Sequence, residues 1–200
     1  PLTAICGYLQ LLDREALPEQ AARYLSFIGE RVQALRQLTE ELFRYSVVLS
    51  TADELHIEEV CLNGALEEAV AAFYAALTGR GIVPVIEMPD RRVVRRLDRR
   101  ALGRIFSNIL SNAIKYSGGD LRLALQEDGT LLFENTAASL DEVQVGRLFD
   151  RFFSVETAQE STGLGLAIAR ALAERMGGAA SASYHSGKLC VQVSFPENLA

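Results

Sequence analysis

The sequence is organised around one stretch of ten residues, Asn108-Ile109-Leu110-Ser111-Asn112-Ala113-Ile114-Lys115-Tyr116-Ser117. Its polar residues Asn108, Asn112 and Lys115 are spaced i, i+4 and i+7, which places them on one face of a helix. Apolar residues at helical spacing form another face: Leu102, Ile105, Phe106, Ile109, Leu110 and Ala113. Two carboxamides and an amine aligned in this way can hold a metal ion and a phosphate chain. An ordinary solvated helix face carries the same residue types, so spacing alone leaves both interpretations open.

The composition is that of a folded, acidic chain. Of its 200 residues 49% are hydrophobic, and the formal net charge is −6. A charge of this sign argues against nucleic acid as a partner, and no apolar run approaches the roughly 20 residues that cross a bilayer. The three cysteines lie far apart and predict neither a disulfide framework nor a metal site, which fits a reducing cytosol. An arginine-rich segment at 91–100 is either a phosphate-binding patch or the exposed side of a strand and a helix.

The first part of the chain, residues 1–52, predicts an antiparallel helical hairpin. Pro18 suits the first turn of the second helix, which continues to about Ser50. Apolar residues recur in this helix every seven positions: Ala21, Ile28, Leu35, Leu42 and Leu49. A heptad seam is typical of helices that pack against a partner. We therefore expect a homodimer that forms a four-helix bundle, with packing of the seam on the rest of the chain as the alternative.

The remainder, residues 56–200, alternates between strand and helix patterns. Strands are predicted at 57–62, 82–87, 93–97, 121–125, 131–134, 180–184 and 189–195, and helices at 64–77, 99–117, 141–153 and 164–176. Asn63 and Asp98 are predicted N-caps, and Asp128-Gly129 and Ser186-Gly187 are predicted hairpin turns. Helices interleaved with antiparallel strands indicate an α+β fold, a two-layer α/β sandwich with helices on one face of a mixed sheet.

A second chemical motif, Ser161-Thr162-Gly163-Leu164-Gly165-Leu166-Ala167-Ile168, stands directly before a predicted helix. Glycines at such a position allow backbone N–H groups to approach a phosphate. Together with the Asn108 stretch, this order of motifs resembles the N box and G2 box of the GHKL ATPases, and specifically the catalytic domain of sensor histidine kinases. Residues 148–153 (Leu-Phe-Asp-Arg-Phe-Phe) resemble their F box, and residues 1–9 resemble the segment just downstream of their phospho-accepting histidine. The resemblance covers essentially the whole chain.

The resemblance implies a site for Mg²⁺ and ATP. Asn112 would coordinate the Mg²⁺, with Asn108 supporting the ion or a phosphate, and Lys115 would meet phosphate oxygens. The implied nucleotide-binding residues are Asn108, Asn112, Lys115, Tyr116, Asn135, Thr162, Gly163, Leu164, Gly165 and Leu166. The segment at about 137–162 would be the ATP lid. Phe149 and Phe152 would either anchor this lid or simply pack in the core.

The sequence departs from the family pattern at the G1 box and at the acceptor. The DxGxG pattern aligns with Asn135-Thr136-Ala137-Ala138-Ser139, so the adenine-reading aspartate is an asparagine. An amide oxygen can still accept a hydrogen bond, and we expect affinity weakened by about 1 kcal/mol. The lost glycines cost ~1–2 kcal/mol each only where φ must be positive. No histidine stands at the acceptor position, which the resemblance puts five residues before Pro1; His56 and His185 lie elsewhere, so the chain as written is not expected to autophosphorylate.

The expected function is that of a sensor histidine kinase core. ATP would bind residues 56–200, and the γ-phosphoryl group would pass to a histidine on the hairpin and then to an aspartate of a response-regulator receiver domain. The chain would be the cytoplasmic portion of an inner- or plasma-membrane sensor, attached to the membrane only through N-terminal segments outside this sequence. One alternative is a degenerate nucleotide-binding or scaffold module without kinase activity, suggested by the altered G1 box. Another is a GHKL serine kinase of the anti-sigma type, a class that lacks the dimerising hairpin.

Overall fold

A computed structural model describes residues 2–11, 18–49, 54–137, 140–153 and 163–197. The helices are α1 (Leu2–Leu11), α2 (Glu19–Leu49), α3 (Leu62–Ala72), α4 (Tyr74–Gly79), α5 (Arg99–Tyr116), α6 (Glu142–Gly146) and α7 (Gly165–Arg175). The strands are β1 (Ile57–Cys61), β2 (Val85–Glu87), β3 (Val94–Asp98), β4 (Arg122–Leu125), β5 (Thr130–Thr136), β6 (Ala179–His185) and β7 (Lys188–Ser194).

The strands form two sheets, and the larger one carries the helices on one face. Strands β1 and β3 pair antiparallel, while five strands follow the order β2-β4-β5-β7-β6, antiparallel except for the parallel pair β2 and β4. Helices α5 and α7 pack against each other and against the inward-facing side chains of this sheet; the rings of Phe106 on α5 and Phe133 on β5 lie 5.9 Å apart. The predicted α+β architecture with a mixed sheet is confirmed.

Helix α5 begins where the sequence predicts, at Asp98. The Asp98 carboxylate accepts hydrogen bonds from the backbone N–H of Ala101 and of His56, both at 2.8 Å. Burial alone would raise the pKa of this carboxyl, but these N–H donors outweigh it, and the pKa is lowered. The apolar side of the helix is buried, from Ala101 to Ile114, so the cap and the core together fix the direction of the polar side.

Helices α1 and α2 pack together as the predicted hairpin. In the single chain the heptad residues Ile28, Leu35 and Leu42 remain 47%, 50% and 46% exposed. These three residues of the seam are therefore only partly covered by the rest of the described chain, although α2 also contacts α7. None of the described helices combines the length and apolarity that crossing a membrane requires.

Three helix predictions were wrong in detail. Asn63 does not cap α3, which begins at Leu62; its side chain instead accepts from the N–H of Val93 at 2.9 Å and donates to the carbonyl of Pro89 at 3.1 Å. The helix predicted at 64–77 divides at Phe73, where one residue leaves helical geometry. The helix predicted at 141–153 ends at Gly146, and the left-handed backbone of Phe152 (φ 62°) is incompatible with a helix there.

The prediction for strand 82–87 needs correction, whereas the arginine-rich segment is the exposed side of a strand and a helix except at Arg95. The strand is reduced to β2, because Pro84 just before it has no N–H to donate to a ladder. Most arginines at 91–100 are exposed, and Arg99 forms an ion pair with Glu68 at 2.6 Å. Arg95 is different: it is 5% exposed and donates from Nε to the carbonyl oxygen of Phe195 at 3.0 Å.

Candidate functional site

The polar face of α5 presents Asn108, Asn112 and Lys115, all three half-buried. Within the described ranges neither carboxamide has a hydrogen-bond partner, and neither has a polar atom that is both buried and unpaired. Lys115 Nζ lies 5.3 Å from the centre of the Tyr116 ring. This face of α5 therefore carries two carboxamides and a cation.

Gly165 brings the second motif to the same place. A Cβ atom on Gly165 would lie 3.5 Å from Asn108 Oδ1, so the first residue of α7 faces the carboxamide of α5. Leu164, the N-cap of α7, has no side chain that caps the helix. Uncapped N–H groups in the first turn of a helix, together with its dipole, favour an anion. The two motifs form one site, with an anion-binding helix end beside an amide oxygen.

Gly163 is required for a different reason. Its φ is +68°, and a Cβ atom there would lie 2.5 Å from the carbonyl oxygen of Phe153 and 2.6 Å from the carbonyl carbon of Phe152. Both atoms belong to the backbone and cannot swing away. Gly163 therefore lets the chain pass close to the end of the F-box segment, whereas Gly165 opens space beside Asn108.

The F-box phenylalanines differ from each other. Phe149 packs against the core, and the guanidinium carbon of Arg170 on α7 lies 5.8 Å from the centre of its ring. The side chain of Phe152 is 54% exposed, so it contributes through its backbone and not by core packing. Thr162, one of the predicted binding residues, lies outside the described residues, as do 138–139 and 154–161 of the predicted lid.

Asn135 lies at the end of β5, only 3% exposed. Its side-chain NH₂ donates to the carbonyl oxygen of Thr136 at 3.1 Å. A carbonyl can only accept, so this contact fixes the orientation of the amide. Its Oδ1 atom has no partner in the described part of the chain and is not fully buried. Asn135 thus presents an acceptor, as an aspartate would.

The altered G1 box costs no strain at its first lost glycine. Phe152 and Ser186 are the non-glycine residues with positive φ in the described ranges, so Ala137 has an ordinary backbone. Its N–H donates to the carbonyl of Gly187 at 2.9 Å, and its carbonyl accepts from the Tyr184 hydroxyl at 3.1 Å. The β6–β7 hairpin therefore holds this segment in place. Ser139, the second lost glycine, lies outside the described residues.

Asp120 is a site-supporting residue that the sequence reading missed. Its carboxylate accepts from the N–H of Thr136 at 2.7 Å and from the Thr136 hydroxyl at 2.9 Å, and the N–H of Gly118 donates to the Thr136 carbonyl at 2.9 Å. Burial alone would raise the pKa of Asp120, but the hydrogen bonds from Thr136 and Ser117 prevail and lower it. These contacts tie the C-terminal end of α5 to Asn135. The sequence shows only turn-forming residues at 117–120, which do not predict that Asp120 contacts Thr136.

The donor set at the site fits Mg²⁺ better than a softer metal. No group of three His, Cys, Asp or Glu side chains close enough to hold a metal ion occurs in the described ranges. Amide oxygens are hard ligands, and Mg²⁺ in nucleotide sites takes few ligands from the protein and the rest from phosphates and water. The carboxamides of Asn108 and Asn112 beside the N-terminus of α7 satisfy that requirement.

Residues 97–199 match the model of a protein family described as histidine kinase-, DNA gyrase B- and HSP90-like ATPase. The chain belongs to this family of ATPases. The matched part begins in β3, extends past the end of β7, and includes Asn108, Asn112, Asn135 and the glycines at 163 and 165. The resemblance to the catalytic domain of sensor histidine kinases is confirmed.

The similar proteins are named as sensor proteins or histidine kinases. The sensor protein VanS of Enterococcus faecium is 32% identical, with 98% of this chain and 53% of VanS covered. Two solved structures share the ATPase fold together with the hairpin. The Acinetobacter baumannii histidine kinase AdeS has a TM-score of 0.71 at 21% identity, covering 99% of this chain and 96% of that one. Full-length ShkA in complex with AMPPNP has a TM-score of 0.68 at 24% identity, covering 100% and 44%. The chain spans 53 to 61% of the length of the first curated relatives it matches.

Proposed function

We propose that this ATPase-family chain is the core of a sensor histidine kinase, with residues 56–200 binding Mg-ATP between α5 and the start of α7. The observation that carries the proposal is the contact between Asn108 and Gly165. It sets a carboxamide that has no hydrogen-bond partner among the described residues against a helix N-terminus without a side-chain cap. An amide oxygen for a cation and backbone N–H groups for an anion are both needed to hold a metal–phosphate pair.

The nucleotide would lie along α5. The acceptor atom of Asn135 would receive the exocyclic amino group of adenine, and Tyr116 would lie against the nucleotide. Lys115 would contact phosphate oxygens, and the N–H groups of Gly165 and Leu166 would receive the phosphates at the start of α7. Asn112 would bind the Mg²⁺, which when present neutralises phosphate charge. Gly163 and Leu164, with Thr162, would form the hinge of the lid.

The phosphoryl acceptor would be a histidine on the hairpin of residues 1–52. In that step the bond from the γ-phosphorus to the bridging oxygen breaks as a bond to an imidazole nitrogen forms, and ADP leaves. The phosphoryl group would then pass to an aspartate of a response-regulator receiver domain. The half-exposed heptad residues of α2 support a homodimer, and the relatives named as sensor proteins support a membrane sensor whose cytoplasmic part includes this chain.

Calorimetric titration of the chain with ATP and with ADP, each with Mg²⁺, tests the proposal. We expect saturable binding of both nucleotides, with affinity reduced when Mg²⁺ is removed by a chelator. A matched control is Gln126→Ala, a change at an exposed residue between β4 and β5 that should leave binding intact. Absence of binding by the folded wild-type chain at millimolar nucleotide would overturn the kinase proposal and favour a non-catalytic scaffold.

A further inference from the structure

The polar face of α5 continues for one more turn before Asn108. Arg104 precedes Asn108 by four residues, about 40° around the helix and roughly 6 Å along its axis. It is half-buried, like Asn108 and Asn112. Arg104, Asn108, Asn112 and Lys115 therefore form a single stripe on α5.

Among the described residues, Arg104 lacks the counter-ion that Arg99 on the same helix has. Arg99, on the opposite side of the same helix, donates to both carboxylate oxygens of Glu68 at 2.7 and 2.6 Å. No carboxylate or carbonyl in the described ranges pairs with the guanidinium of Arg104. Withdrawing a charged group from water has a cost that a partner normally offsets. In a chain with 26 acidic residues, a half-buried arginine without a partner among the described residues indicates an anionic ligand at that position.

In the proposed orientation, the phosphates of the nucleotide lie toward Arg104. Asn135 is tied to the C-terminal end of α5, because Gly118 donates to the carbonyl of Thr136 at 2.9 Å. Gly165, which would receive phosphates, lies beside Asn108, about 12 Å back along the helix from Tyr116. The phosphate chain would therefore run toward the N-terminus of α5, and its last phosphate would lie nearest Arg104.

We propose that Arg104 binds the terminal phosphate of the nucleotide triphosphate and so makes the site prefer ATP to ADP. This inference rests on the proposed function. A guanidinium donates two parallel hydrogen bonds to a pair of phosphate oxygens, which a compact ammonium does not. Because ADP lacks the terminal phosphate, it makes no use of Arg104 and is released more readily after phosphoryl transfer.

The test compares the affinity of Arg104 variants for Mg-AMPPNP, a non-hydrolysed ATP analogue, and for Mg-ADP. Loss of charge-assisted hydrogen bonds to a phosphate is expected to weaken AMPPNP binding by about ten- to a hundredfold. ADP affinity should stay within about twofold. Arg104→Lys should recover only part of the loss. Arg99→Ala is the matched control, since it removes an arginine from the other side of the same helix and should alter neither affinity.

Each outcome has a defined meaning. A selective loss of AMPPNP affinity supports the inference. An equal loss of both nucleotides, or no loss, overturns it while leaving the nucleotide site intact. If the wild-type chain binds neither nucleotide, the proposed function and the inference both fail. Arg104→Gln keeps most of the aliphatic stem, so it decides the question if Arg104→Ala loses its thermal transition.

Discussion

Replacing Gly163 and Gly165 separately by alanine distinguishes a glycine that the backbone requires from one that a ligand requires. At Gly163 the new methyl group would lie 2.5 Å from the Phe153 carbonyl oxygen at a φ of +68°. The left-handed backbone costs ~1–2 kcal/mol, and moving a packed neighbour costs ~1–3 kcal/mol more. We therefore expect Gly163→Ala to lower the free energy of unfolding by roughly 2–5 kcal/mol.

Gly165→Ala should behave in the opposite way. Its methyl group would meet Asn108 Oδ1 at 3.5 Å, an ordinary contact. Its φ is not positive, since it is absent from the glycines with left-handed backbone. Alanine is favoured over glycine in a helix by up to ~1 kcal/mol, so the free energy of unfolding should stay equal or rise. The methyl group would nevertheless occupy the space between α7 and Asn108, and Mg-AMPPNP affinity should fall about tenfold or more.

Urea denaturation followed by circular dichroism measures the first quantity, and isothermal titration calorimetry measures the second. Gly64→Ala is the control, because a methyl group at this α3 glycine meets nothing within 4 Å. If Gly165→Ala bound Mg-AMPPNP as tightly as the wild type, phosphates would not approach α7 there. If Gly163→Ala were as stable as the wild type, the backbone would not require a glycine at this position.

Three further predictions concern the elements that position the site. Asn112→Ala or Lys115→Ala should abolish binding of Mg-AMPPNP in calorimetry, whereas Asn135→Ala should only weaken it; the reverse ranking would show that adenine, and not the metal and phosphates, is the main anchor. Asp120→Asn should weaken nucleotide binding and cost about 1–3 kcal/mol of stability through its lost hydrogen bonds, and wild-type stability in urea would contradict this. Asp98→Ala should cost about 1–2 kcal/mol as a lost helix cap. Folding lowers the pKa of Asp98 and Asp120, so both carboxylates stabilise the fold above about pH 4. Their contribution to stability should disappear as the pH falls through the lowered pKa values. Urea unfolding midpoints measured at a series of pH values test this dependence.

Much of the site could be predicted because it depends on local patterns. The polar face of α5 follows from helical spacing within one element, and its start follows from Asp98, whose side chain caps it as expected. The glycines at 163 and 165 predicted a helix N-terminus that could bind an anion. These features need only the chain on either side of the residue concerned.

The features that could not be predicted depend on contacts between residues that are far apart in the sequence. Asp120 acts through Thr136, sixteen residues away, and Ala137 is held by Gly187 and Tyr184 across a neighbouring strand. Neither follows without the register of β5 and β7. Asparagine is a common helix cap, but the side-chain oxygen of Asn63 accepts a hydrogen bond from the backbone N–H of Val93 and does not cap α3. The different roles of Gly163 and Gly165 likewise needed the positions of the atoms around them.

Two-dimensional NMR of the isotope-labelled chain with and without Mg-AMPPNP shows which residues the nucleotide contacts. We expect amide shifts to concentrate on the polar side of α5 at Asn108, Asn112 and Lys115, at the start of α7, and around Asn135. Removal of Mg²⁺ with a chelator should reverse most of them. Shifts confined to the arginine-rich segment at 91–100, or no shifts at millimolar nucleotide, would contradict the proposed nucleotide site.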